Sequence, residues 1–425
     1  MREMKDSGIS SFGTIPTNWE IKKLKTILSL RNEKNSGDRE LLSVYLDRGV
    51  ISYSDSTGMQ VHKPSQDLSN YQNVYVGDFV LNNQQAWRGS VGVSKHDGII
   101  SPAYFVYRLA ECCHPEYVNY LFRDSSMVQQ YETSSRGVGT IQRNIFAPWL
   151  LNCWTVLPPL DEQKRIADYL DAKCAEIDAL TADIQAQIDT LEQYKRSVIT
   201  EAVTKGLNPD AEMKDSGYDW VGMMPSTWIM RKGKYMFVQR SLRGNSIELQ
   251  LLSPTQKFGV IPQSLYEELT GMSAVKLNEK TDLSLLKTIH KGDFCISLRS
   301  FQGGFEYSEY EGVVSPAYQV FYPTVDIADG YYRYLFKETG FIDKMNSYTM
   351  TLRDGKNIAF ADFGNTYIPY PPVGEQYRIA AFLDIKVAEI DAIIGQKKDQ
   401  LSTLDAYKKS LIYEYVTGKK EVPAQ

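Results

Sequence analysis

After each of two Pro-Pro pairs the hydrophobic pattern of the chain changes. Following Pro158-Pro159, Leu170, Ile177, Ile184, Leu191 and Val198 recur every seven residues, with Ile166, Cys174, Leu180, Ile188 and Tyr194 at neighbouring positions. A sevenfold apolar stripe has a period of about 3.5 residues and predicts a coiled-coil helix, which needs a partner to bury it. Asp161 is expected to cap this helix with Glu162 in its first turn, and Gly206 with Asn208-Pro209 to end it. Residues 161–205 would then span roughly 67 Å at ~1.5 Å per residue. Following Pro371-Pro372, Leu383, Ile390, Leu404 and Leu411 repeat four of the five sevenfold positions and supply the partner. The fifth position is Lys397. Either it sets register at some cost in stability, or it snorkels where the helices splay, or the stripe shifts phase onto Ile393, Ile394 and Leu401. Antiparallel pairing would put the two preceding segments at opposite ends of a rod.

Those preceding segments read as mixed α/β with short strands. Val74 to Leu81 is an apolar run broken by Gly77-Asp78, and Lys291-Gly292-Asp293-Phe294-Cys295-Ile296 is its counterpart. Gly98-Ile99-Ile100-Ser101-Pro102-Ala103-Tyr104 returns as Gly312-Val313-Val314-Ser315-Pro316-Ala317-Tyr318, with β-branched residues before a Pro that fits a strand end. Met4 to Gly8 returns at Met213 to Gly217, and the Pro-Pro motif of 158–167 returns at 371–380. An offset that drifts by only a few residues over most of the chain means a duplicated domain plus helix, not a short solenoid repeat. The expected divisions are 1–157, 158–206, 207–370 and 371–420. Between the matched anchors the copies differ almost completely, so the anchors read as scaffold and the loops as the places where different ligands are read. Trp19 and Trp228, in Ile15-Pro16-Thr17-Asn18-Trp19 and Met224-Pro225-Ser226-Thr227-Trp228, read as core anchors.

Net charge is −5, but it is not spread evenly. Residues 1–157 carry 16 basic and 15 acidic side chains, and residues 213–370 carry 17 of each. Residues 158–212 carry 6 basic and 12 acidic, so the deficit lies in the first helical stretch and leaves the globular copies free to turn a basic face to phosphates. Five irregularly spaced cysteines and a charged start point to a reducing cytoplasm, and no apolar stretch is long enough to span a bilayer.

Catalytic constellations are missing. There is no Gly-x-x-x-x-Gly-Lys-[Ser/Thr] phosphate loop, and Arg136-Gly137-Val138-Gly139-Thr140 reads as a plain loop. Leu157-Pro158-Pro159-Leu160 and Tyr370-Pro371-Pro372-Val373 lack the acid or amide and the aromatic residue that amino-methyltransferases place around Pro-Pro. Asp210, Glu212 and Lys214 are too close together in a linker to form a nuclease metal site. Cys112-Cys113-His114 has no second ligand pair at zinc spacing, so no metal site is expected. A binding protein remains.

Over essentially its whole length the chain resembles the specificity subunit of type I restriction-modification systems. The resemblance rests on the order and duplication of three features. These are the Pro-x-x-Trp openings, the Ser-Pro-Ala-Tyr segments, and the Pro-Pro-[Leu/Val]-x-Glu-Gln-x-x-Ile-Ala motifs that lead into long helices. It implies an α+β chain of two pseudo-symmetric mixed α/β target recognition domains separated by two long antiparallel coiled-coil helices. Each domain would read one half of a bipartite, asymmetric DNA site. The chain would also scaffold two modification (adenine-methyltransferase) subunits and the restriction subunits, without catalysis of its own. S-adenosylmethionine would sit in the modification subunits, and ATP and Mg in the motor-nuclease restriction subunits. A competing reading from another class is a protein-protein adaptor carrying two recognition modules on a coiled-coil rod.

For DNA, the unmatched polar loops supply the candidates. In the first copy these are Asn82, Asn83, Gln84, Gln85 and Arg88, with Arg136, Gln142 and Arg143. In the second they are Arg299 and Gln302, with Arg353, Lys356 and Asn357. Arg suits guanine edges, and Asn and Gln suit adenine, while the rest of such a set serves as phosphate contacts or solvated loop.

Overall fold

A computed structural model describes residues 2–35, 37–46, 48–56, 64–138, 142–243, 249–273, 285–296, 304–348 and 358–423, with the backbone alone for Val138 and Gln142. Its two compact units are not consecutive in sequence. One is Met1–Gln185 with Asp399–Gln425, and the other is Ala186–Lys398. Each unit therefore holds one globular segment and part of both long helices.

The first unit is built on a four-stranded antiparallel sheet in the order Leu28–Leu30, Tyr104–Leu109, Phe79–Asn82, Val91–Val93. Phe79, Val80 and Leu81 form an unbroken apolar run because both faces of this strand are covered. Phe79 and Leu81 join the cluster around Trp19 and Tyr117, while Val80 packs with Leu42, Val44, Ile100 and Val106. The second unit repeats the order with Phe237–Gln239, Gln319–Pro323, Phe294–Ile296 and Phe305–Tyr307. There Phe294 and Ile296 face one cluster and Cys295 the other.

The two long helices run Leu160–Lys205 and Val373–Val416. Asp161 does not cap the first. The carbonyl of Pro159 accepts from the N–H groups of Glu162 and Gln163, and that of Pro372 from Glu375 and Gln376. The second proline of each pair thus closes the first turn, and the helix begins at the next residue. Along the first helix Leu170, Ile177 and Ile184 are buried and Leu191 and Val198 half-buried. Leu180 and Tyr194 point to solvent, because Thr181 and Lys195 take the places that the alternating three- and four-residue steps demand. In the second helix Leu383, Ile390 and Leu411 are buried and Leu404 half-buried. Ile394 is buried, Lys397 and Leu401 are half-buried and Ile393 is exposed. Positions 383, 387, 390, 394, 397, 401, 404, 408, 411 and 415 keep the three-four alternation throughout, so no phase change occurs and Lys397 sits at a regular seam place. The pairing is antiparallel. In the first unit Lys408 meets Asp178 at 2.6 Å and Tyr415 hydrogen-bonds Tyr169, and in the second Lys195 meets Asp391 at 2.7 Å.

The duplicated letters act as structural joints. Trp19 and Trp228 are 1% and 0% exposed, and each indole N–H donates to the Glu of the Glu-Gln pair, Glu162 at 3.2 Å and Glu375 at 2.9 Å. Gln163 accepts from the His114 N–H and donates to the Cys112 and Pro158 carbonyls. Gln376 does the same with the Ala328 N–H and the Pro371 carbonyl. Each Gly-Asp turn is tied to the edge strand by arginine, Arg31 to Asp78 and Arg240 to Asp293, both at 2.6 Å. Finally, Tyr117 donates to the Val416 carbonyl and Tyr331 to that of Val203. Each globular segment is therefore fastened to the end of the long helix belonging to the other repeat.

One joint differs between the copies. Opposite Val80 stands Gly92, whose missing Cβ would lie 3.0 Å from the Gly49 Cα, whereas opposite Cys295 stands Glu306. Glu306 is 1% exposed, pairs with Lys337 at 2.5 Å, and leaves Oε2 without a hydrogen bond among the described residues. Burial pushes its carboxyl up from the usual 4.5 to about 7, against the pull of Lys337. An acid held above its unfolded value binds its proton more tightly when folded. Its contribution is full below about 4.5 and is lost as pH rises through about 7. Glu306→Gln should therefore gain stability relative to the wild type between pH 5 and 7.5, by up to about 3 kcal/mol. Urea unfolding of both proteins across that range checks this, and parallel pH curves would contradict it.

Candidate nucleic-acid interface

The first unit brings together two loop clusters that lie far apart in sequence. Asn82 ends a sheet strand, and Ala86–Arg88 form a 3₁₀ turn against the helix Ser125–Thr133. The stretch around Arg136, read from sequence as a loop, is a strand. Ser135–Val138 pairs with Gln142–Ile145 in an antiparallel hairpin, Arg136 opposite Asn144 and Gly137 opposite Arg143. The hairpin is pinned to the first cluster by the Ile145 N–H, which donates to the Asn83 carbonyl at 3.0 Å.

Aromatic rings organise the cations there. The guanidinium of Arg136 lies 3.5 Å from the Phe146 ring centroid and 4.3 Å from that of Trp149. Arg88 and Arg143 approach the ring of Trp87 at 4.6 and 5.4 Å, and Arg143 also pairs with Glu132 at 3.2 Å. Trp87 is itself fixed by its indole N–H to the Gln84 carbonyl at 2.9 Å. Asn82 accepts from the Gln84 N–H and donates to the Tyr104 hydroxyl, and the Asn83 Oδ1 is buried with no partner among the described residues. Gln84 is exposed and Gln85 half-buried. Arg88, Arg136 and Arg143 thus stand on the hairpin and the turn beside it, cations of a kind suited to phosphates and base edges.

Sequence reasoning selected the arginines and amides but missed Trp87, Phe146 and Trp149. Their signal is faint: each lies within six residues of a chosen residue, but only the folded hairpin shows which ring faces which cation. The side chain of Gln142 lies outside the description, and Arg299, Gln302, Arg353, Lys356 and Asn357 of the second copy lie outside the described residues. Among the described residues there is no group of three or more His, Cys, Asp or Glu able to hold a metal ion. No described helix is long and apolar enough to cross a membrane.

Residues 230–403 match the type I restriction modification DNA specificity domain. The chain is 23% identical to the MjaX type I restriction enzyme specificity subunit of Methanocaldococcus jannaschii, across 97% of this chain and 96% of the relative. It is 25% identical to the MjaVIII specificity subunit of the same organism, across 71% and 70%. Its fold is similar to a chain solved in work on complex assembly and conformational transition of the type I R-M system. The TM-score is 0.70 at 17% identity, covering 96% of this chain and 99% of that one. The HsdS subunit from Thermoanaerobacter tengcongensis gives a TM-score of 0.51 at 18% identity, covering 96% and 98%. Over nearly its whole length the chain is thus similar to type I restriction enzyme specificity subunits, and its residues 230–403 match their DNA specificity domain.

Proposed function

We propose that this non-catalytic DNA-recognition subunit reads a bipartite, asymmetric DNA site, one half with each globular segment. The two long helices then serve as the spacer between the readers and as a dock for two modification subunits. The observation that carries this is the division between the copies. Their joints, Trp19 and Trp228, Glu162 and Glu375, Gln163 and Gln376, are duplicated in place and partner. Their loops are not. Two equal frames carrying unlike reading surfaces suit a site with two unlike halves, with phosphate contacts setting register and base contacts setting sequence. Chemistry falls to the partners in this scheme, S-adenosylmethionine in the modification subunits and ATP with Mg in the restriction subunits, in the cytoplasm where the DNA lies.

The test is an exchange. Replacing residues 213–370 by the corresponding segment of another specificity subunit, in a complex with the modification subunits, should change one half of the methylated motif and leave the other half as it was. Sequencing of methylated genomic DNA reads the outcome. A change in both halves, or in neither, would contradict independent reading by the two segments.

A further inference from the structure

We propose that Arg136 reads a guanine in the half-site taken by the first globular segment, and that Phe146 and Trp149 are the positioning residues that aim it. This rests on the DNA-specificity reading above and adds the residue, the base and the means. Arg136 stands exposed on the hairpin strand, yet its guanidinium is held over two rings, 3.5 and 4.3 Å from their centroids. The rings brace one another edge to face at 5.3 Å. Both are anchored from below. The Phe146 N–H donates to the Ser134 carbonyl at 2.9 Å, and Trp149 sits on the short helix Ala147–Leu150, whose Leu150 is fully buried.

Arg136 differs in this respect from its neighbour Arg143, whose charge is shared with Glu132. Among the described residues Arg136 has no carboxylate partner, so its N–H donors remain available. A guanidinium lying against a ring presents those donors as a planar fork. A phosphate contact asks only for positive charge within reach and is served by a loose side chain. Holding a long exposed side chain in one orientation costs rotamer freedom, and that cost is useful only where direction matters. The acceptor pair that rewards a fixed planar fork in the major groove is O6 and N7 of guanine.

The experiment uses the full chain in complex with its modification subunits, scored by sequencing of methylated genomic DNA. Arg136→Ala and Arg136→Lys should both lose discrimination at one guanine position of one half-site, by roughly 10- to 100-fold. The other half-site and the gap should be unchanged. Phe146→Leu and Trp149→Ala should relax that same position to a smaller extent, while Phe146→Tyr, which keeps a ring, should preserve it. The lysine variant separates the alternatives: wild-type letters in Arg136→Lys, with all sites weakened alike in Arg136→Ala, would make Arg136 a phosphate contact and overturn the proposal. Uniform loss of methylation with unchanged letters in the ring variants would reduce Phe146 and Trp149 to structural residues and overturn their positioning role. A wild-type complex that leaves no sequence-specific mark would overturn the specificity reading itself, and this proposal with it.

Discussion

Ending the chain at Ser410 is expected to unfold the first globular segment, although the cut lies more than 250 residues beyond it. The removed stretch carries Leu411, Tyr415 and Val416, which are 4, 5 and 0% exposed and belong to the same cluster as Ile15, Trp19 and Tyr117. It also carries the carbonyl that satisfies the buried Tyr117 hydroxyl, and Lys419, which donates to the backbone at Phe12 and Thr14. Large buried side chains cost about 2–5 kcal/mol each when removed, and a whole domain has only about 5–15 kcal/mol in hand. Hydrogen exchange should show residues 1–157 losing protection, while residues 213–370, fastened instead to Val203 through Tyr331, keep theirs. Full protection of residues 1–157 in the truncated chain would contradict the joint. Gly418→Ala is a milder version at one position. Gly418 has φ +73°, and a Cβ there would overlap Pro16, so the substitution strains both the helix end and its contact. Gly206, at φ +76° with Glu375 and Trp228 close by, is its counterpart in the second unit.

This fastening is the part of the fold that the sequence conceals. A sevenfold stripe announces a buried face and a coiled-coil partner, and the seam residues from Leu170 to Leu411 are legible on that ground alone. The same stripe cannot say that the last turns of the second helix complete the core of the first segment, because a pattern marks a face and not what covers it. The caps are half legible. Pro-Pro marks the helix start, but Asp161, a good cap by type, is passed over for the Pro159 carbonyl, since Glu162 and Gln163 are committed to Trp19 and His114 and fix the phase.

The interface divides in the same way. Arg88, Arg136 and Arg143 stand out as cations in unmatched loops. That they share one surface depends on the hydrogen bond from Ile145 to Asn83, 62 residues apart in the chain, and on rings whose partners no local spacing reveals. The duplicated Trp, Glu and Gln are the easiest to read, because a joint needed twice is written twice.

On the proposed function the globular segments read the letters, and what the long helices contribute to sequence choice is the distance between the two half-sites. Inserting seven residues after Gln185 and seven after Lys398 puts one heptad into each helix where the chain passes between its two units. A whole heptad keeps the alternating seam in phase, so pairing need not be lost. Each helix grows by about 10 Å at ~1.5 Å per residue, and B-DNA rises ~3.4 Å per base pair, so the gap can widen by at most about three base pairs. Sequencing of methylated DNA from cells carrying this variant with its modification subunits reads both quantities at once. The expected motif has both half-sites unchanged and a longer gap between them. New letters in either half, or an unchanged gap in a fully active complex, would contradict the claim.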